Sequence, residues 1–313
     1  MLNMLESQNL PKPPNVRRIG LLRRIARARW SYFFVAPAAL SFIVFGVFPI
    51  LYGLALSFTD TQLIGPPAAW VGGVNYLDAL RAPQFYSALI NTLAFTVMTG
   101  GGAAITGLTV ALILNQITRG ATFFRTALYI PVVTPIVAVT RIWKFIYNPS
   151  EQGLLNGALS LFKINPVNWL GDPNLALISL SVMTVWQGTG FDMVIFLAGL
   201  KGIPRVFYEA ALIDGASPFQ MFWHITLPLL RPVTAFVLVL AGINGLRAFS
   251  PMYLLPGPLD STLTVGLYVF KNAFEYFKMG YAAAVGVLLT LLIVTLTGTQ
   301  FWFFERKGSV SYE

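Results

Sequence analysis

The segment EAALIDGASPFQMFWHITLP, from Glu209 to Pro228, stands between two long apolar runs. Pro204, just upstream, suits the first turn of a helix. Val206, Phe207, Ala210, Ala211 and Ile213 supply an apolar face, while Glu209 and Asp214 are polar. Gly215 is placed to end that helix in the left-handed conformation. Ser217 followed by Pro218 reads as the cap and first residue of a second helix. Phe219, Phe222, Trp223 and Ile225 then recur at roughly helical spacing as far as Pro228. The pattern predicts a helix, a sharp turn and a second helix, both half-polar. Such a unit can lie on a bilayer surface or plug into a groove on a partner. These residues alone leave both readings open.

The rest of the chain names the solvent. Of 313 residues, 56% are hydrophobic and only 11% are charged, with a mean hydropathy of +0.69. A soluble domain is nearer a quarter charged, and one this apolar would expose large greasy patches. Lipid is the medium that fits. There is no cysteine, which excludes a disulfide framework and any cysteine-based metal site. The one histidine, His224, has no cluster of candidate ligands around it and reads as a surface residue of the second helix. No G-x-x-x-x-G-K-[ST] phosphate loop is present, so the chain does not cradle ATP in that way.

A helical span needs roughly 20 apolar residues to cross about 30 Å of hydrocarbon. Six stretches qualify: Tyr32 to Phe58, Phe85 to Asn115, Phe124 to Tyr147, Leu175 to Leu200, Val233 to Leu255 and Met279 to Phe304. The first is too long for a secretory signal and reads as a retained anchor. The expected class is therefore all-α and polytopic, with six transmembrane helices. Small residues such as Ala103 and Gly107, and prolines such as Pro131 and Pro135, suit closely packed and kinked spans.

The net charge of +9 is distributed as an orientation signal, not as a nucleic-acid footprint. On the side of the N-terminus lie 14 Lys and Arg, from Lys12 and Arg17 through Arg119, Lys201 and Arg205 to Lys307; the opposite side has 4, Arg81, Lys163, Lys271 and Lys278. The positive-inside rule then puts both termini, and the opening segment, in the cytoplasm. The arginine-rich tail suits an interfacial helix on anionic lipid or a solvated orientation signal. The external stretches 59–84 and 148–174 are rich in turn residues and read as turns with short surface helices.

The opening segment also resembles the cytoplasmic coupling motif of binding-protein-dependent ABC importers: Glu-Ala-Ala, three residues, Gly, nine residues, Ile, one residue, Leu-Pro. Glu209, Ala210, Ala211, Gly215, Ile225, Leu227 and Pro228 occupy every fixed position, and Asp214 lies within the motif. Further stretches resemble the maltose-type, carbohydrate-importing branch. These are LSFTD (56–60), GGVNYLDAL (72–80), YIPVVTPIVAVTRIWKFIYNPSEQGLLN (129–156) and WQGTGFDMVIFLAGLKGIP (186–204). The likeness spans about residues 32–305.

The resemblance implies an inner-membrane permease subunit in a bacterium or archaeon, working by alternating access. It implies a second homologous permease subunit, two cytoplasmic ATPase subunits holding ATP and Mg, an external binding protein that delivers cargo, and no cofactor on this chain. It divides the chain into a basic tail (1–30), a permease domain (31–304) carrying the coupling loop (201–231), and a C-terminal tail (305–313). Sugar is the implied cargo; a polyol, a glycerol phosphate or another polar solute keeps the same machinery. A non-transporting scaffold or sensor is the reading from another class.

Polar groups at membrane depth are functional candidates. Asp192 in the fourth span, Arg141 in the third and Arg247 in the fifth stand out, with Gln187 and Asn244 as uncharged hydrogen-bonding groups. A sugar offers hydroxyls and apolar ring faces, so its site needs amides or carboxylates beside aromatic plates. Trp186, Gln187, Gly188, Phe191, Asp192, Asn244 and Arg247 are the candidates. The competing reading of Asp192 with Arg141 or Arg247 is a structural ion pair.

Overall fold

Within hydrocarbon, a spanning backbone must satisfy its own hydrogen bonds, and helices do so segment by segment. The computed structural model, which describes residues 29–65, 68–117 and 119–306, is built accordingly. Helices dominate; the only extended pairing among the described residues is an isolated antiparallel bridge between Thr59 and Trp70. Residues 1–28 of the expected basic tail, read as an interfacial helix or a solvated orientation signal, and the chain after residue 306 lie outside the described residues, whereas Arg29 and Trp30 open the first helix. Glu305 and Arg306, expected to open the C-terminal tail, still belong to the last helix.

The chain divides into two units, one ending at Gly53 and one beginning at Leu54. The described residues of the first unit belong to helix α1, which runs as Arg29–Phe42, a π-helical turn at Ile43–Val47, and Phe48–Leu56. Its stretch Phe33–Leu56 is long and apolar enough to cross a membrane, and none of it is buried within the protein. A helix apolar on every side belongs in lipid or against another membrane helix.

The second unit is organised by two long helices, α3 (Pro83–Gln116) and α7 (Pro173–Gly202). Before α3 comes the short α2 (Val74–Arg81); between α3 and α7 come α4 (Ala121–Val133), α5 (Ile136–Ile146) and α6 (Leu154–Ser160). After α7 come α8 (Arg205–Ile213) and α9, which runs as Pro218–Met221, a π turn at Phe222–Thr226 and Leu227–Leu229. The chain closes with α10 (Arg231–Leu246), α11 (Ser250–Leu254), α12 (Val265–Phe270) and α13 (Met279–Arg306).

At 34 residues, α3 is roughly 50 Å long, well beyond a hydrocarbon core of about 30 Å. It packs most extensively on α7, and α10 packs on α3 from another side. The approach of α3 to α7 is close because Gly107 has no side chain: a Cβ there would come within 2.6 Å of the Asp192 Cβ. This is the small-residue packing expected in lipid, where close backbone contact replaces the hydrophobic drive.

Two of the six expected spans are broken. The third is α4 followed by α5, bent by 99° at Thr134–Pro135. Pro135 has no N–H to continue the ladder, and it biases Thr134 to the extended conformation, φ −76° and ψ 129°. The fifth was expected from Val233 to Leu255, but α10 stops at Leu246. Phe249 is non-helical (φ −136°, ψ −56°), and the chain restarts at Ser250–Pro251 as α11. Alone, α10 has 16 residues, roughly 24 Å at helical rise. Among the described residues, four helices are therefore individually long and apolar enough to cross a membrane, and up to six spans result when α4–α5 and α9–α10 each count as one.

Two buried apolar clusters hold the second unit together. One gathers the early halves of α3 and α7 with α5 and α12, around Phe95, Trp143, Leu180, Met183, Met252 and Leu267. The other gathers their late halves with the start of α10, around Ala111, Leu114, Phe196, Leu200, Leu230 and Val237.

Candidate substrate cavity and coupling loop

Between the two clusters, α3, α7 and the break after α10 leave a cavity of about 520 Å³. Gln187, Gly188, Phe191 and Asp192 reach it from α7, and Asn244 and Arg247 from the end of α10. Six of the seven sequence candidates are thus brought together. Spacing explains this for α7: positions 187, 188, 191 and 192 are i, i+1, i+4 and i+5, one face of a helix. Asn244 and Arg247 share a face three residues apart, and Arg247 is freed at the helix end, where it caps the last turn.

Trp186 departs from expectation. It lies on the opposite flank of α7, against a second, more apolar cavity between α3, α4 and α7. Its ring meets that of Trp143 edge-on at 5.6 Å. One residue along a helix is a turn of about 100°, enough to move a side chain to another face. Arg141 is likewise outside the first cavity, exposed on α5.

Asp192 is 8% exposed. Among the described residues it forms neither an ion pair nor a hydrogen bond, so the structural pairing with Arg141 or Arg247 is absent. Its carboxylate remains available to whatever fills the cavity. Gln187 is partly committed, because its Nε2 donates to the Thr134 carbonyl at 3.2 Å. That carbonyl is left over by the break in the third span, so Gln187 ties α7 to the bend. Phe95 and Thr99 of α3, and Phe249, Ser250 and Pro251 after α10, also line the cavity and were not among the candidates. The sequence carried a signal for the first pair: Thr92, Thr96 and Thr99 form a polar stripe at helical spacing on α3. Each hydroxyl donates back to the carbonyl four residues earlier.

At the other end of α7, the opening segment has clear local logic. Helix α8 ends in a Schellman motif. The Gly215 N–H donates to the Leu212 carbonyl (3.1 Å) and the Ala216 N–H to the Ala211 carbonyl (2.9 Å), with Gly215 at φ +75°. Two residues on, Ser217 and Gln220 form a capping box. The Gln220 N–H donates to the Ser217 Oγ, the Ser217 N–H donates to the Gln220 Oε1, and Pro218 takes the first position. Tyr208 on α8 and Thr226 on α9 join their hydroxyls at 2.9 Å. Thr226 and Leu230 are buried, and Leu230 belongs to the cluster that holds Leu200 and Ile203. The base of the loop is thus rooted in the bundle, while Glu209, Ala210, Asp214 and Gly215 are exposed and Ala211, Ile225, Leu227 and Pro228 are half-buried. Phe207, Leu212, Ile213, Phe219 and Trp223 are also exposed.

Residues 103–308 match the family of binding-protein-dependent transport system inner membrane components. The chain belongs to that family. Over 272 residues it is 36% identical to the arabinooligosaccharides transport system permease protein of Bacillus subtilis, covering 85% of each chain. It is also 36% identical to the trehalose/maltose transport system permease protein of Thermococcus litoralis, over 86% of this chain and 92% of that one. The fold is similar to that of a bacterial ABC transporter that imports the acidic polysaccharide alginate, with TM-score 0.81 and 24% identity over 91% of this chain and 98% of the other. As a member of this family the chain is a multi-pass permease subunit of an ABC importer, a membrane component without catalysis of its own.

Proposed function

We propose that this chain lines part of the translocation pathway for a sugar, and that the cavity between α7 and α10 is where the sugar is held during alternating access. The observation that carries this reading is one cavity of about 520 Å³ in which an unpaired carboxylate, two amides and an aromatic ring converge. Amides and a carboxylate match hydroxyls, and Phe191 offers a face for an apolar sugar ring. Relatives named for arabinooligosaccharide, trehalose/maltose and lactose transport support that cargo class.

In the same reading both termini and the loop 201–231 are cytoplasmic, in the inner membrane of a bacterium or archaeon. The loop, from Glu209 to Pro228, docks into an ATPase subunit, and its exposed apolar residues enter the cleft. Each of two permease subunits engages one ATPase, which holds ATP and Mg, and the external binding protein delivers cargo from the other side. Closure of the ATPase pair moves α8 and α9. Because Thr226 and Leu230 root them in the cluster at the ends of α3 and α7, that motion reaches the walls of the cavity.

The test is uptake by the complete importer in proteoliposomes, with the cargo identified from a sugar panel. A hydrogen bond to a charged group is worth about 1.5–3 kcal/mol, roughly 10- to 100-fold in affinity. Asp192→Ala should therefore raise the half-saturating concentration by that order, and Asn244→Ala, which removes a neutral hydrogen bond worth about 1 kcal/mol, roughly fivefold, with assembly intact. Unaltered uptake and specificity in both variants would remove the cavity from the pathway. Arg247 in the same cavity favours one second reading, an anionic solute such as a glycerol phosphate; uptake of that solute in preference to every neutral sugar would select it.

A further inference from the structure

A second polar cavity, of about 720 Å³, lies away from the first, between α2, α12 and the start of α13. The shared cluster around Phe95, Leu267 and Tyr268 separates the two. Its floor is made of buried polar side chains. Asn75 is 8% exposed and Asn272 is 5% exposed. The Asn75 Nδ2 donates to the carbonyls of Ser57 (2.9 Å) and Thr59 (2.7 Å), and the Asn272 Nδ2 donates to the Tyr268 carbonyl (2.8 Å). Both amides are held in place by these bonds, and among the described residues neither Oδ1 accepts one. Tyr268 and Tyr281 join their hydroxyls at 2.9 Å. Only one of the two protons serves that bond, so the other hydroxyl keeps a proton to donate.

The rim is exposed and mixed in chemistry. Asp78 and Gln84 stand on one side, and Tyr276 and Lys278 on the other. Among the described residues, none of these four side chains has a hydrogen-bond or ion-pair partner. Backbone bonds brace the concavity: the Leu63 N–H donates to the Phe277 carbonyl, the Gly280 N–H to the Thr61 carbonyl, and the Lys278 N–H to the Asn272 carbonyl.

From this lining we infer that the cavity is an accessory saccharide subsite at the outer mouth of the permease, distinct from the cavity between α7 and α10. The inference rests on the sugar reading above and extends it. Fixed amide oxygens at the floor accept from hydroxyls, a tyrosine hydroxyl and Lys278 donate to them, and Tyr276 offers a ring face. Groups that both donate and accept around one concavity match a polyhydroxylated ligand, which does both at every position. A phosphate-bearing headgroup fits less well, because Asp78 would repel it beside the single ammonium. A protein surface pressed over the cavity would leave the buried amide oxygens without partners, which is costly.

The experiment uses the full chain in nanodiscs and the complete importer in proteoliposomes, with maltose, trehalose, lactose and arabinotriose as probes. Binding stoichiometry is read by equilibrium dialysis on the chain and transport by uptake in the importer. The rim variants Asp78→Asn and Tyr276→Ala, alone and combined, leave the buried floor intact, and Asn244→Ala serves as the inner-cavity variant. The expected result is two molecules of the transported sugar per wild-type chain. Asn244→Ala should lose one, and the combined rim variant should lose the other. The rim variant should also raise the half-saturating concentration for uptake about tenfold, the equivalent of one or two hydrogen bonds. One sugar per wild-type chain, or a rim variant that still holds two, overturns the subsite while leaving the transport reading intact. Two further results also overturn it: a rim variant that keeps both sugars but loses capture of the external binding protein marks a protein contact. Sugar occupancy that disappears when phosphatidylethanolamine is added marks a headgroup site. Absence of both binding and uptake for every probe overturns the sugar reading itself, and the subsite with it.

Discussion

Gly215 shows how a single backbone angle sets the shape of the loop proposed to couple to the ATPase. At φ +75° it is the αL residue of the Schellman motif, yet a Cβ there would meet no atom within 4 Å. Any penalty for a small side chain within this chain is therefore conformational, about 1–2 kcal/mol for an ordinary L-residue, and less for Asn, which tolerates αL. Proline is different in kind. Its ring locks φ near −65°, and it lacks the N–H that donates to Leu212. Asn at 215 should thus couple best, Ala less well, and Pro should disrupt the loop. Glu209→Ala should be milder than Gly215→Pro: Glu209 is exposed, and an exposed ion pair with a partner contributes only about 1 kcal/mol or less. The measurements are retention of the ATPase subunit after solubilisation and substrate-stimulated ATP hydrolysis. Full retention and full stimulation with Gly215→Pro would show that this turn is not the coupling element, and the bilayer-surface alternative would then account for its apolar face.

At the scale of elements, α9 is short, partly π-helical and only partly buried. A helix of this length does not hold itself together by propagation alone. Its capping box at Ser217–Gln220 and its tie through Thr226 to Tyr208 do so instead. Ser217→Ala removes the side-chain acceptor for the Gln220 N–H. The expected cost is about 1 kcal/mol, seen as roughly fivefold faster hydrogen exchange at residues 218–226 in the solubilised chain, with α7 unaffected. Unchanged exchange there would mean that the root at Leu230 alone holds the element. The start of α9 was legible because Ser-Pro is a local signal with a local cause. The bend between α4 and α5 was half legible: Pro131 and Pro135 announced a kink, but not which proline breaks the helix. Pro131 remains inside α4, whereas Thr134–Pro135 is the break. At that break Gln187, 53 residues away, donates to the carbonyl of Thr134.

For the whole molecule, the orientation carries the functional assignment, since a coupling loop must face the side where ATP is. With Lys and Arg divided 14 to 4, the positive-inside rule puts Ser217 inside and Ser150 outside. The chain has no native cysteine, so single Ser217→Cys and Ser150→Cys variants report cleanly. In intact cells a membrane-impermeant thiol reagent should label the variant at 150 and spare the one at 217. The reverse pattern would turn the molecule over and detach the loop from the ATPase. Both serines are exposed, so protection would not arise from burial within this chain.

The sequence by itself determined the solvent, the helical class and the family motif, and it offered candidate residues for recognising cargo. Each of these is a local or compositional property: hydropathy over twenty residues, charge flanking a span, a spacing within one loop. Tertiary structure decided which candidates meet. Gln187 and Asp192 face Asn244 and Arg247 across one cavity, whereas Trp186, one residue from Gln187, turns to Trp143. It also decided that Asp192 has no ion-pair partner among the described residues, and that Asn75 and Asn272, about two hundred positions apart, share a cavity floor. Periodicity tells which residues share a face of their own helix. Which helix that face meets depends on packing between segments distant in the chain, set here by contacts such as Gly107 against Asp192.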